Sequence, residues 1–147
     1  MIFRSLDILF SFCGLVILSP FFLIIFLLGI FDTGSPLFIQ KRVGIEKKPF
    51  NLIKFRTMSI ETESVASHLA SSANITKLGR VLRKTKLDEL PQLINVLLGS
   101  MSFVGPRPNL YNQLDLINHR SIKGVYKVKP GITGLAQINN IDMSTPE

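Results

Sequence analysis

"ILFSFCGLVILSPFFLIIFLLGIF", Ile8 to Phe31, runs for 24 residues without a formal charge and is bounded by Asp7 and Asp32. A bilayer-spanning helix needs about 20 such residues, so the stretch reads as a permanent membrane segment. It is too long for the core of a cleavable signal peptide, and no small-residue cleavage motif follows it closely. Its centre decides the fold. Ser19-Pro20 leaves eleven residues on each side. Proline removes a backbone donor and opposes the carbonyl four residues back, here that of Val16, at about 3 kcal/mol in a helix interior. A serine hydroxyl beside it can partly satisfy a freed carbonyl. Two geometries follow: a kinked spanning helix, or a re-entrant hairpin. Each hairpin arm would reach about 16 Å, near half of a ~30 Å hydrocarbon core, and both ends would emerge on the same side. Length leaves both open. Arg4 leans toward an N-terminus kept inside, and Asp7 dilutes that hint.

The 147 residues fit one compact unit with an appended segment. A net charge of +7 at pH 7 predicts an anionic partner: a phosphorylated substrate, acidic lipid or nucleic acid. Of the 17 basic residues all but Arg4 follow the apolar run, which places the main body on the cytoplasmic side. Cys13, the lone cysteine, lies inside the run and reads as a small hydrophobe. His68 and His119 lie far apart and read as surface residues. Histidine or cysteine catalysis is therefore disfavoured, and no Gly-rich phosphate loop, zinc spacing or Ser/His/Asp set is present. Carboxylates with a metal are what remains.

After the apolar run, "SPLFIQKRVG" (Ser35 to Gly44) and "PFNLIKFRTM" (Pro49 to Met58) alternate apolar and polar residues around a Gly- and Lys-bearing connection, the pattern of a β-hairpin. Lys41, Arg42, Lys47, Lys48, Lys54 and Arg56 read either as a solvated face or as contacts to anionic headgroups. Ser59 to Ala73 reads as a loop or loosely held helix. Thr76 can cap a helix with Leu78, Val81 and Leu82 on one face and Lys77, Arg80, Arg83 and Lys84 on the other. A second helix is expected to open near Asp88, to bury Leu90, Leu93, Ile94, Leu97 and Leu98, and to end at Gly99. "SFVGPRPN" and "KPGITGLAQI" are turn-rich stretches with strand-like flanks.

Asp88 and Glu89 stand out. They are the only carboxylates between Ser64 and Leu114, a window that also holds Lys77, Arg80, Arg83, Lys84, Lys86 and Arg107. Within a regular helix adjacent side chains diverge by about 100°, but at a helix start they can converge. The free N–H groups and partial positive charge there favour a phosphate. A carboxylate so placed can be a helix cap, a ligand for Mg²⁺, or a nucleophile that forms an acyl phosphate. The prolines at 106 and 108 stiffen the backbone around Arg107, whose fork of donors suits an oxyanion. A surface arginine in a proline turn is the plainer reading of the same residues.

Taken in order, the apolar run with "SP" at its centre, "KFRTM", "LRKTKLDELPQLINVL", "MSFVGPRP" and "KPGITGLAQI" resemble the monotopic polyprenol-phosphate phosphoglycosyl transferases, bacterial sugar transferases that start glycan assembly on a lipid carrier. The resemblance covers nearly the whole chain. It implies an α+β fold: a re-entrant membrane helix hairpin over residues 1–34, broken at Ser19 and Pro20, and a small, mainly helical cytoplasmic domain with a short β-hairpin over residues 35–147. It implies that Asp88 attacks the sugar-bearing phosphate of a UDP-sugar, that UMP leaves, and that polyprenyl phosphate then takes the phosphosugar. Glu89 would assist and hold Mg²⁺, and Arg83 and Arg107 would contact phosphate. The expected partners are thus a UDP-sugar, polyprenyl phosphate and membrane lipids, not nucleic acid. The expected place is the bacterial inner membrane, and the pathway that of an O-antigen, capsule or exopolysaccharide. Such proteins usually carry an acid where this chain has Ser100, and continue beyond the equivalent of Glu147, so the catalytic domain is expected to be shortened. Ser59 to Ala73 is the sugar-reading candidate by elimination. The competing reading is a membrane-anchored basic module that binds anionic lipid or nucleic acid, with the acid pair as a cap.

Overall fold

The computed structural model describes residues 2–61, 74–134 and 138; the expectations for His68 and for most of Ser59 to Ala73 lie outside them. The apolar run forms two helices, α1 (Ile2–Ile17) and α2 (Ser19–Thr33), bent by 63° where they meet. Among the described residues no single helix is long and apolar enough to cross a membrane, whereas this pair together meets that test. Pro20 lies in the first turn of α2, where its missing donor is harmless. The Ser19 hydroxyl donates to the Val16 carbonyl at 2.8 Å, the group that proline opposes. The helix begins earlier than the uncharged run, so Arg4 and Asp7 are part of α1.

Strands β1 (Leu37–Val43) and β2 (Pro49–Phe55) form the antiparallel hairpin expected from their alternation, in register from Leu37 opposite Phe55 to Val43 opposite Pro49. Next come α3 (Lys77–Thr85), a 3₁₀ turn (Leu87–Glu89) and α4 (Gln92–Leu98). Thr76 caps α3 by accepting from the Gly79 amide at 2.8 Å. The "SFV" and "GIT" segments become β3 (Ser102–Val104) and β4 (Gly131–Thr133), a short parallel pair, with α5 (Leu114–Ile122) between them. The chain is thus a mixed helix-and-strand fold with mostly helical content.

Two apolar clusters hold these elements. Ile25 of α2, Phe55 of β2 and Leu82 of α3 form one, with Phe22, Leu78, Leu87 and Leu90 around them. Leu52, Val96 and Met101 form the other, with Phe50, Phe103 and Ile132. Fully burying side chains of this size contributes about 1.5–3 kcal/mol each. The helix that ends at Gly99 departs from expectation on two counts. It opens at Gln92, after the separate 3₁₀ turn that carries the acids. Its buried face is Gln92, Leu93, Asn95 and Val96, whereas Leu98 is exposed and Leu97 half-buried. Asn95 is buried because its side chain bridges β2: Oδ1 accepts from the Ile53 amide and Nδ2 donates to the Asn51 carbonyl. Val81, read with Leu78 and Leu82 as one face of α3, is exposed.

Candidate active site around the acid pair

Lys86 ends α3 in the left-handed region at φ 60°, which turns the chain sharply into the 3₁₀ turn and directs Asp88 inward. Asp88 is buried, and its Oδ1 has no hydrogen-bond partner among the described residues. Leaving a buried polar atom unpaired costs about 1–3 kcal/mol, more if it is charged. Glu89, its neighbour, is in the opposite condition. Its Oε1 accepts from Lys54 Nζ at 2.9 Å and from Arg107 Nη2 at 2.8 Å. Both bonds end on the same oxygen.

These environments drive the two carboxyls apart. Burial is the largest influence on Asp88 and, with Glu89 beside it, raises its pKa against the lowering effects of Lys54, Arg83 and Lys86. Burial also opposes the charge on Glu89, but Lys54 and Arg107, by charge and hydrogen bond, hold it below the ordinary glutamate value. Lys54 is itself pulled down, by burial first and by Arg107, more than Glu89 lifts it. Adjacent carboxyls whose pKa values are driven apart are a common arrangement of acid–base and nucleophilic sites.

The cations come from separate elements. Lys54 lies on β2, and the register places Phe38, Gln40 and Arg42 opposite Lys54, Leu52 and Phe50, so these six share one face of the hairpin. Leu52 on that face packs against Val96 of α4, and the loop after β3 covers Arg42 through the Pro108 carbonyl, so Lys54 and Arg42 are withdrawn from solvent, contrary to their reading as a solvated or headgroup-binding face. Arg42 donates to Gln40 Oε1 at 2.6 Å and to the Pro108 carbonyl at 3.2 Å, while its buried Nε lacks a partner among the described residues. Burial, then the nearby Arg107 charge, lowers the Arg42 pKa to about 10. Arg83 is placed by a bond from Nε to Thr57 Oγ1 at 2.9 Å. Of the site residues read from the sequence, Asp88, Glu89, Arg83 and Arg107 converge; Ser19 and Pro20 lie at the helix bend, apart from this group. Lys54 and Arg42 were missed, although alternation puts Lys54 on the same face as buried Leu52 and the hairpin register adds Arg42.

The Arg107 loop is fixed from beneath. Gly105 and Gly131 touch backbone to backbone: a Cβ on Gly131 would lie 2.1 Å from the Gly105 nitrogen. The Gly131 amide donates to the Pro106 carbonyl at 3.0 Å, and Arg120 donates to the Arg107 carbonyl at 2.6 Å. The "KPGITG" stretch thus acts as a platform for "GPRP".

A magnesium ion takes one or two carboxylates and completes its shell with water and phosphate oxygens. Among the described residues no cluster of three or more metal-binding side chains exists. The acid pair, with Asp88 Oδ1 unpaired and Glu89 Oε2 outside both of its ion-pair bonds, nevertheless fits an ion of that kind held jointly with a phosphate substrate.

Comparison with known proteins gives the family. Residues 1–146 match the model of the family described as bacterial sugar transferase. The chain is 51% identical over 107 residues to the sugar transferase EpsL of Bacillus subtilis, an alignment that covers 72% of this chain and 52% of that protein. It is 42% identical over 147 residues to the UDP-glucose:undecaprenyl-phosphate glucose-1-phosphate transferase of Klebsiella pneumoniae, covering 95% of this chain and 31% of the relative. It is 36% identical over 140 residues to the UDP-N-acetylgalactosamine-undecaprenyl-phosphate N-acetylgalactosaminephosphotransferase of Aeromonas hydrophila, covering 92% and 33%. The chain therefore spans between about a third and a half of the length of these relatives. With a family model matched over almost its whole length, this chain belongs to the bacterial sugar transferases.

Proposed function

We propose that the chain transfers a sugar phosphate from a UDP-sugar to undecaprenyl phosphate, with Asp88 as the nucleophile, at the start of exopolysaccharide or other surface-glycan synthesis. The observation that carries the reading is the unpaired, buried Asp88 Oδ1 beside a Glu89 already bound by Lys54 and Arg107. A cap would have found an amide, and a structural ion pair would have found a cation. The names of the relatives supply the substrate class.

The chemistry balances in two displacements. Asp88 attacks the phosphorus that bears the sugar, an aspartyl–phosphate bond forms, and the bond to the bridging oxygen breaks with its electrons leaving on UMP. An oxygen of undecaprenyl phosphate then attacks the same phosphorus, the aspartyl bond breaks, and the carboxylate returns as the lipid diphosphate sugar departs. Arg107 and Lys54 offset the negative charge that accumulates, and Arg83 contributes its positive charge toward Asp88. Bound at the acid pair, chiefly through Glu89, Mg²⁺ would neutralise diphosphate charge and stabilise the leaving phosphate. The bent α1–α2 pair is read as a re-entrant hairpin in the inner membrane, with its apolar outer face in lipid and the acid pair on the cytoplasmic side. Cysteines placed singly near residues 4 and 34 should then both be labelled from the cytoplasm; labelling at 4 from outside alone would restore a span.

The activity is tested by incubating purified protein with Mg²⁺ and a panel of UDP-sugars without lipid acceptor. The expected result is UMP release with at least one sugar, abolished by Asp88→Asn. No release across the panel, with lipid binding intact, would favour the basic-module reading.

A further inference from the structure

Apart from the exposed Ser5, the charged and hydroxyl residues of α1 fall on one face, which also carries Gly14. Arg4, Asp7, Ser11 and Gly14 recur at alternating steps of three and four, which places them along one helix face inside an otherwise apolar sequence. That face is turned inward. Ser11 is fully buried and Asp7 nearly so, while Phe12, Val16 and Ile17 on other faces are exposed. Gly14 lets α1 approach α4 closely: a Cβ there would lie 3.2 Å from Leu93 Cδ1.

The charged ends of this stripe make specific bonds. Arg4 donates from Nη1 to the Val96 carbonyl at 2.6 Å and from Nη2 to the Leu97 carbonyl at 2.7 Å. It thus takes two final-turn carbonyls of α4, that of Val96 shared with the Gly99 amide and that of Leu97, where a cation is also favoured by the helix dipole. Gly99, at φ 90°, ends α4 without a side chain in that place; a Cβ on it would lie 3.0 Å from Arg4 Nη2. Asp7 Oδ1 accepts from Ser102 Oγ at 3.0 Å and from the Phe103 amide at 3.3 Å, which joins α1 to the start of β3. Phe10 meets Phe103 edge-on, 6.5 Å between centroids, beside that bond. Charges flanking a membrane segment usually point to water or headgroups; these two point into the protein.

We propose that Arg4 and Asp7 are positioning residues for the lipid half of the reaction, a seam that fixes how far the acid pair stands from the membrane-borne acceptor. The inference rests on the phosphosugar-transfer reading above. The acid pair lies beyond the opposite end of α4 and has its own supports, the bonds of Lys54 and Arg107 to Glu89. Loosening the seam therefore leaves the chemistry of Asp88 in place and changes the tilt and depth of α1 relative to it. α2 docks separately, through Ile25 and Phe22 in the cluster with Phe55 and Leu82.

The test uses the full chain in lipid nanodiscs, comparing wild type with Arg4→Gln, Asp7→Asn, their double variant and Arg4→Lys. UMP release without acceptor should stay within about twofold of wild type. Transfer to undecaprenyl phosphate should fall about tenfold or more in the double variant, chiefly as a raised KM for the lipid phosphate, and Arg4→Lys should recover part of it. Parallel loss of both half-reactions, or no loss in either, would overturn the proposal. Amide hydrogen exchange keeps the seam testable whether or not transfer is observed. Arg4→Gln and Asp7→Asn should each lose protection around residues 99–103 while residues 87–89 stay as in wild type; unchanged exchange at 99–103 would contradict the seam even in an inactive protein. Absence of UMP release in wild type, with the exchange result as expected, would instead count against the transferase reading.

Discussion

The two ends of α4 are held by opposite means. At its C-terminal end three successive carbonyls are taken: Arg4 donates to those of Val96 and Leu97, and the Asn95 carbonyl accepts from the amides of Gly99, Ser100 and Met101. At its N-terminal end, charged side chains from β2 and the Arg107 loop converge on Glu89, yet Asp88 keeps an unpaired oxygen. One end is finished and the other is left open. A saturated end anchors, and an end with a buried unsatisfied anion is primed to react, because forming a bond to that oxygen relieves an existing cost.

Breaking the open end should have the largest effect. Asp88→Asn should abolish UMP release, a loss of about a thousandfold or more. Its stability should move the other way. Because the folded Asp88 pKa is raised, the native state holds its proton to higher pH than the unfolded chain, so the charged form destabilises the fold above that window. Asp88→Asn should therefore raise the Tm at neutral pH, measured by circular dichroism. Glu89→Gln should also cost about a hundredfold or more in rate, but lower the Tm. The depressed Glu89 pKa means that its charge stabilises the fold above the ordinary glutamate value, and that this contribution is lost as pH falls toward the folded value. Equal signs for the two Tm changes would break the contrast between the neighbours.

Lys54→Met should reduce UMP release by roughly tenfold to a hundredfold, since Arg107 still holds Glu89. Gly131→Ala acts one step further away. Its Cβ would collide with the Gly105 backbone, so the fold should lose about 1–3 kcal/mol in chemical denaturation while Arg107 shifts. The smallest effect is in the pH profile. UMP release should decline on acidification from above the ordinary aspartate range, because Asp88 must be deprotonated to attack.

What the sequence disclosed follows the range of the forces involved. The Thr76 cap, the Gly99 stop and the Ser19-Pro20 break are local and could be read from a few residues. The acid pair was legible as well, because two carboxylates in a basic window are conspicuous. Lys54 and Arg42 were misread as surface cations, since their burial is decided by how the hairpin docks against α4 and the Arg107 loop. Asp7 was read as the boundary of an apolar run, yet its role lies in a bond to a residue 96 positions away. Leu98 was counted as core by its type, but α1 and β2 cover the faces of Leu93 and Val96 and leave Leu98 outside. The 4-7-11-14 spacing of Arg4, Asp7, Ser11 and Gly14 inside an apolar helix carried the missing signal.

The central claim, that Asp88 is loaded covalently by the donor, is tested most directly by intact mass spectrometry of wild type and Asp88→Asn after incubation with Mg²⁺ and a UDP-sugar, without acceptor. The account predicts a mass increase of one phosphosugar on wild type, mapped to Asp88, that disappears on adding undecaprenyl phosphate. UMP release by wild type with no added mass, or an adduct that survives in Asp88→Asn, would contradict it.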